Sequence, residues 1–287
     1  MCSHNTNRYD SLCIVEKGAS VTSVSKSGTI PTWANNEEWT NKVDWKSADL
    51  LSSQETLDSV VGTPDAVVSC VGVVGTDADE LLKGNGNANV AAFNSAKRCN
   101  PNLQRVAYVS VSSEVDACKE NWLPEFFNGY FEGKIMAEEA ALNAVDGDTK
   151  KLCLVKPTFI YGGDSFGLLP PRVNYEYGSG VEELLMNSVF KFLADKTPGL
   201  IKVALRPPVC VDSVAAACAV AVMSNSDLST LDGTEEINAY SGQPKSTGLT
   251  DALTFAKEKG IEFIDWAKVE VPKAIDTIKE KADELQK

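Results

Sequence analysis

Histidine is almost missing from this chain: of 287 residues only His4 is one, and it lies in a polar N-terminal stretch. That count excludes a His-based catalytic triad and any metal centre assembled from several imidazoles. Cysteine occurs eight times, at Cys2, Cys13, Cys70, Cys99, Cys118, Cys153, Cys210 and Cys218, yet no two have Cys-x-x-Cys spacing. Most sit in apolar runs such as Val-Ser-Cys70-Val and Leu-Cys153-Leu, so they read as reduced core residues rather than disulfides or zinc ligands. No apolar run approaches the length that spans a bilayer, and no signal peptide is visible at Met1. Basic residues are outnumbered 27 to 40, for a net charge of −13. Such a balance argues against nucleic acid and anionic membrane surfaces as general partners.

What is present is an alternation. Residues 19–25 (ASVTSVS) form a β-branched run ended by a turn at Gly28. Residues 65–74 (DAVVSCVGVV) form a second run, continuous enough to be buried on both faces as in a parallel sheet. Further strands are expected at 105–111 and 152–160, with helices at 89–98 and 129–143 between them. Strands separated by helix-length segments imply βαβ units and a parallel sheet covered on both sides. Beyond Tyr161 the rhythm weakens. Residues 164–205 carry Pro170-Pro171, several aromatics and one apolar helix near 182–193; residues 209–223 then give a short strand and an Ala-rich helix. From about Asn238 the tail reads as helical, with Ile275, Ile278, Ala282 and Leu285 on one stripe. A helix docked on its own domain is the plainer role for that stripe, and a protein partner is the other. The expected organisation is a core over residues 1–163, a substrate-side lobe with the last core elements over 164–240, and a helical tail over 241–287.

Tyr130 and Lys134 are four residues apart within the 129–143 helix, so they share a face. A cation beside a phenol favours the phenolate and tunes it towards acid–base work. The spacing alone is weak evidence, since roughly half a pair is expected by chance. Its neighbours strengthen it. Asp49 lies in VDWKSADLL, Gly72 ends SCVG, Asn89 opens a helix, and Ser110, Ser112 and Ser113 follow Tyr108 at a strand end. Lys156-Pro157-Thr-Phe-Ile-Tyr161-Gly162 and Pro207-Pro-Val-Cys-Val-Asp212-Ser-Val-Ala come later, in order. Together these segments resemble the short-chain dehydrogenase/reductase superfamily, in its extended or atypical NAD(P)-binding, epimerase-like branch. The resemblance runs from about residue 11 to 223.

The resemblance implies a Rossmann-like, doubly wound α/β sheet with a small C-terminal substrate lobe. It implies Tyr130 as acid/base, Lys134 as its partner and ribose ligand, Ser112 (or Ser110) as the hydroxyl that polarises a carbonyl, and Asn89 as support. Cofactor contacts fall on Ser25, Lys26, Asp49, Gly72, Lys134 and Pro157, and no metal is required. Ser25-Lys26-Ser27 ends the first recognisable strand with no carboxylate until Glu37, which favours NADP over NAD. The expected activity is reduction or oxidation of a small carbonyl, alcohol or quinone-like molecule. A catalytically inactive accessory or assembly protein, as among complex I accessory subunit relatives, and a nucleotide-sugar epimerase or dehydratase are the alternatives. The resemblance points to a mitochondrial or plastid location, with the cytoplasm as the alternative.

One element of the family pattern is missing. A Rossmann unit opens with a strand and a Gly-rich turn whose helix N-terminus receives the pyrophosphate. Here the first glycine is Gly18; residues 11–17 read as the end of the first helix, and residues 1–10 are polar without a β-pattern. Gly84-Asn-Gly86 is no substitute, because it opens a later helix and lacks the third glycine. An incomplete N-terminus, which would also hide any transit peptide, and a genuine loss of the loop both account for this. The intact remainder favours the first.

Overall fold

Each β-branched run of the sequence becomes a strand, and all pair in parallel, but in pieces. The computed structural model describes residues 14–162 and 175–242. Strands β1 (Val21–Ser25) and β2 (Val43–Ser47) form a two-stranded sheet. Strands β3 (Ala66–Ser69), β4 (Arg105–Val109), β5 (Leu152–Lys156) and β8 (Leu231–Asp232) form a four-stranded sheet in the order β3-β4-β5-β8, with Ala66 opposite Arg105 and Val106 opposite Leu152. Two short strands, β6 (Ile160–Tyr161) and β7 (Val209–Cys210), pair separately. In the Rossmann order the first strand lies between the strands that correspond to β1 and β3. Among the described residues no strand occupies that place.

The four-stranded sheet is covered on both faces because its strands alternate. Val106 and Tyr108 of β4 pack with Phe93 and Ala96 of helix α3 (Ala88–Cys99) and with Ala137, Ala140 and Ala141 of α5 (Asn128–Ala144). Ala107 and Val109 face the other way, onto Val214, Ala217, Cys218 and Ala221 of α9 (Val211–Met223) and Ile237 of α10 (Thr234–Ser241). Small residues on both α5 and α9 let these helices lie close to the sheet. The Phe93 ring meets Tyr108 edge-on at 5.7 Å. A smaller cluster of Val15, Ala34, Trp39 and Val43 holds β1 and β2.

Several sequence boundaries are corrected. The run at 65–74 is a strand only to Ser69, because two buried asparagines seize the backbone beyond it. Pro157 ends β5 at Lys156, and the chain resumes pairing at Ile160 with β7. The helix expected near 182–193 is two, α6 (Tyr175–Leu185) and α7 (Ser188–Lys196), divided where the Asn187 side chain accepts the Val189 N–H as a cap. A further helix, α8 (Gly199–Ala204), completes this lobe. Strands β2 and β8 and helices α1 (Gln54–Val61), α2 (Ala78–Leu82) and α4 (Ser113–Asp116) carry too little pattern to be foreseen. Residues 14–16 are helical and end at Gly18, φ +85°, as expected of a helix C-terminus. Of the tail, α10 is seen; Ile275, Ile278, Ala282 and Leu285 lie outside the described residues.

Glycines let backbone meet backbone in the core. Lys83–Asn87 forms a π-helical turn joining α2 to α3, and it lies against α5. A Cβ on Gly133 would sit 2.7 Å from the Gly86 nitrogen, and one on Gly129 would sit 2.0 Å from the Ala78 carbonyl oxygen. Neither obstacle is a movable side chain. Gly133→Ala is therefore expected to lower stability by about 1–3 kcal/mol, read as a shift in the urea midpoint. Gly75→Ala, where an added Cβ meets nothing within 4 Å, serves as the near-neutral control. Equal midpoints for the two variants would refute this account of the helix contact.

Candidate active site

Lys134 is the buried cation of this fold, only 6% exposed. Its Nζ donates to the Val109 carbonyl at 3.0 Å, at the carboxyl end of β4. It lies 5.0 Å from the centroid of the Tyr108 ring and 5.7 Å from that of Tyr130. Burial lowers its pKa to about 8, against a smaller upward pull from Cys70 and Glu138. Tyr130 is half-buried one turn earlier, its ring edge-on to Phe131 at 5.3 Å. The two residues that the sequence pairs are thus on one face, with the ammonium beneath the phenol ring.

The turn after β3 comes down onto the same lysine. A Cβ added to Gly72 would lie 3.5 Å from Lys134 Nζ and 2.9 Å from Asn85 Oδ1. Asn85 holds this turn from both sides: its Nδ2 donates to the Val73 and Leu81 carbonyls, each at 2.9 Å, and its Oδ1 accepts the Val73 N–H at 3.1 Å. Asn89, one helical turn on, donates to Val71 O at 3.1 Å and Asn85 O at 2.8 Å and accepts from Ser69 Oγ at 2.5 Å. Asn89 thus holds the turn that carries Gly72. Asn85 was not anticipated. Its four-residue spacing from Asn89 in Gly-Asn-Gly-Asn-Ala-Asn was the available signal.

The serines have other work. Ser112 caps α4, its Oγ accepting the Val115 N–H at 3.3 Å, while its own N–H donates to the Pro157 carbonyl at 3.1 Å. Ser112 and Pro157 are thereby joined. Ser110 donates to Glu138 at 2.5 Å, and Glu138 pairs with Lys156 at 3.0 Å.

At the ends of β1 and β2 the remaining cofactor candidates meet one another. Lys26 pairs with Asp49 at 3.2 Å, largely in solvent. Asp49 also accepts the Leu51 N–H, which holds its carboxyl below the usual range. Ser25 Oγ accepts from Gly28 N at 3.0 Å. The cation expected to favour NADP is thus balanced by Asp49, itself one of the expected cofactor contacts.

A cavity of about 340 Å³ opens beyond Ser112 at the carboxyl ends of the sheet, lined among others by Ser113, Thr158, Asp232 and Thr234. Ligands of open α/β sheets bind at this end of the strands. Both cations in its wall are paired. Arg206 grips Glu114 with two bonds, 2.7 and 2.6 Å, and reaches Asp195 at 2.8 Å; Lys191 pairs with Glu235. Burial alone would raise the Glu114 carboxyl, but Arg206 and Lys202 hold it below the ordinary range. Tyr161 donates to Glu182 at 2.7 Å, joining β6 to α6. Asp212 follows the cap residue Cys210 and accepts from the Tyr175 hydroxyl.

Lys134 gives the site a pH signature. Between its pKa of about 8 in the fold and the ordinary value of 10.5, only the unfolded chain holds the extra proton. Stability should therefore rise with pH across that window, by up to about 1.4 kcal/mol per pH unit from this residue. Lys134→Met should lack the rise and be the more stable protein at pH 7. Urea titrations of both proteins from pH 7 to 10.5 measure the difference, and parallel curves would refute the burial.

No protein-family model matches this sequence, and no curated protein matches it. Solved structures do match it in fold. UDP-glucuronic acid 4-epimerase from Bacillus cereus, in complex with NAD, superposes with a TM-score of 0.52 at 12% identity, over 86% of this chain and 90% of that one. UDP-glucose 4-epimerase from Bifidobacterium longum, in complex with NAD+ and UDP, gives 0.52 at 15% identity, over 86% and 83%. The UDP-Glc/GlcNAc 4-epimerase from Campylobacter jejuni gives 0.53 at 12% identity, over 83% and 82%. The fold of this chain is thus similar to that of these epimerases, a Rossmann-like α/β sheet with helices on both faces.

Proposed function

We propose that this chain is an NAD(P)H-dependent oxidoreductase acting on a small carbonyl, alcohol or quinone-like compound. The observation that carries this is Lys134, buried on the Val109 carbonyl beneath the Tyr130 ring, with the bare backbone of Gly72 close to its ammonium. A helix residue is seldom buried with its charge unless something uses it. Tyr130, half-buried at the edge of this group, gives a proton to a carbonyl oxygen or takes one from an alcohol. Lys134 acts behind it as a fixed positive charge, and Asn85 and Asn89 keep the Gly72 turn in place.

The fit to a nicotinamide dinucleotide is uneven. Gly72 and Lys134 suit the nicotinamide end, where a bare backbone and an ammonium meet. Lys26, Ser25 and Asp49 suit the adenosine end, with Lys26 the one feature in favour of a 2′-phosphate. For the pyrophosphate between them, no Gly-rich turn follows a strand between β1 and β3 among the described residues. When bound, the dinucleotide supplies or takes the hydride. The paired cations of the cavity favour an uncharged substrate, because a diphosphate would have to displace Glu114 or Glu235. That weighs against a nucleotide-sugar epimerase. The second reading is a non-catalytic Rossmann-type accessory protein.

Titration with NADPH and NADH, followed by fluorescence, separates the two. Micromolar binding, tighter for NADPH, is expected of the oxidoreductase. In a panel of small carbonyls and quinones, Tyr130→Phe should abolish turnover with cofactor affinity unchanged. Absence of binding to either dinucleotide would leave the accessory reading in its place.

A further inference from the structure

One turn beyond Lys134 on the same helix stands Glu138, which the proposed acid–base chemistry leaves without a part. Tyr130, Lys134 and Glu138 recur every four residues of α5, so they form one column along it. Lys134 donates to the Val109 carbonyl, and the Oγ of the next residue, Ser110, donates to Glu138 Oε1 at 2.5 Å. The same carboxylate oxygen pairs with Lys156 Nζ at 3.0 Å, from the end of β5. The two strand ends are themselves joined, Ser110 N to Val155 O at 2.8 Å. Glu138 thus ties α5 to both β4 and β5, directly behind the buried lysine.

The tie lies where water is scarce. Ser110 is 4% exposed, and the side chains of Glu138 and Lys156 are 24% and 19% exposed. Charges so placed are screened less than those of a surface pair. To hold a helix on a sheet, an amide would serve, since it accepts the Ser110 proton as well. An amide cannot supply charge, and charge matters to the neighbour. Lys134 is faced by Cys70 after β3, by Tyr108 on β4, and by Tyr130 and Glu138 on its own helix. The π-helical turn presents the Asn85 amide near it and keeps Lys83 in solvent. Glu138 is the one carboxylate of this set among the described residues. Burial lowers the Lys134 pKa, and Cys70 and Glu138 draw it part of the way back. Lys156, paired with Glu138, offsets some of that pull.

We propose that Glu138 is the positioning residue of this site: it anchors α5 on the ends of β4 and β5, and its charge, moderated by Lys156, keeps Lys134 protonated beneath Tyr130. The role rests on the reading of Tyr130 and Lys134 as the acid–base pair, whereas the charge coupling itself does not. Chemistry that needs a cationic Lys134 then has its upper pH limit set by the Glu138–Lys156 pair.

Titration of Lys134 in the full chain tests the coupling without a substrate. With lysine labelled by 13C at Cε, the signal missing from Lys134→Met belongs to Lys134, and its midpoint is expected at about 8. Glu138→Gln keeps an acceptor for Ser110 but removes the charge and leaves Lys156 unpaired; the midpoint should fall by roughly half a pH unit or more. Lys156→Met frees the Glu138 charge and should raise the midpoint by a similar amount. Loosened packing would move both variants the same way, so opposite shifts are the signature of charge. Should Glu138→Gln fail to fold, the upward shift in Lys156→Met decides alone. Midpoints that stay in place, or move together, overturn the proposal. In turnover, the alkaline limb should follow the two midpoints. A limb that stays fixed while they shift would overturn the acid–base reading of Lys134 and leave the charge coupling standing.

Discussion

The approach of Gly133 to Gly86, backbone against backbone, sets where Lys134 ends up. With no side chain between α5 and the π-helical turn, the helix sinks far enough for the next residue to reach the Val109 carbonyl. That depth removes the lysine from water and lowers its pKa. The same turn carries Asn85, and through Asn85 and Asn89 it fixes the loop after β3. One steric condition thus places a helix, a buried charge and a loop together. The helix charge would be a burden in a protein with no use for it, about 3 kcal/mol at neutral pH.

The core around this group is ordinary parallel-sheet physics. Alternation along β4 feeds two separate clusters, and alanine-rich helices close over both. The sheet is complete from β3 to β8, and its site lies at the carboxyl ends, as in other open α/β sheets. The break lies on the other side of β3. Beyond it, β1 and β2 are held by a small cluster around Trp39 and Val43, and α1 ties them to α3 through Asp58, which accepts from Ser95 and Arg98.

Much of the fold was legible in the sequence, and the reason is periodicity. The helices at 88–99 and 128–144 and the strands near 21, 66, 105 and 152 announce themselves by β-branched runs and by Asn, Gly and Pro at their ends. Boundaries failed where a side chain from far away decides them. Nothing local says that Asn85 and Asn89 will capture residues 71–73 and end β3 early. β8 is two residues long and exists because β5 offers an edge. At the candidate site, spacing puts Tyr130 and Lys134 on one face and the family resemblance adds Asn89, whereas the capping of α4 by Ser112 and the pairing of Lys26 with Asp49 depend on neighbours that neither shows.

The hydroxyls around Pro207 give the cavity a direction. Thr158 and Thr234, from two distant stretches of chain, both donate to that one carbonyl, at 3.1 and 2.6 Å. Ser113 gives its proton to Asp232, and the guanidinium of Arg206 faces carboxylates. The hydroxyl hydrogens of Thr158, Thr234 and Ser113 are taken up within the protein, which leaves oxygen lone pairs towards the open space, while the donors of Arg206 are engaged by carboxylates. That part of the wall is therefore polarised as an acceptor surface, complementary to a molecule that brings its own hydroxyl proton, such as an alcohol.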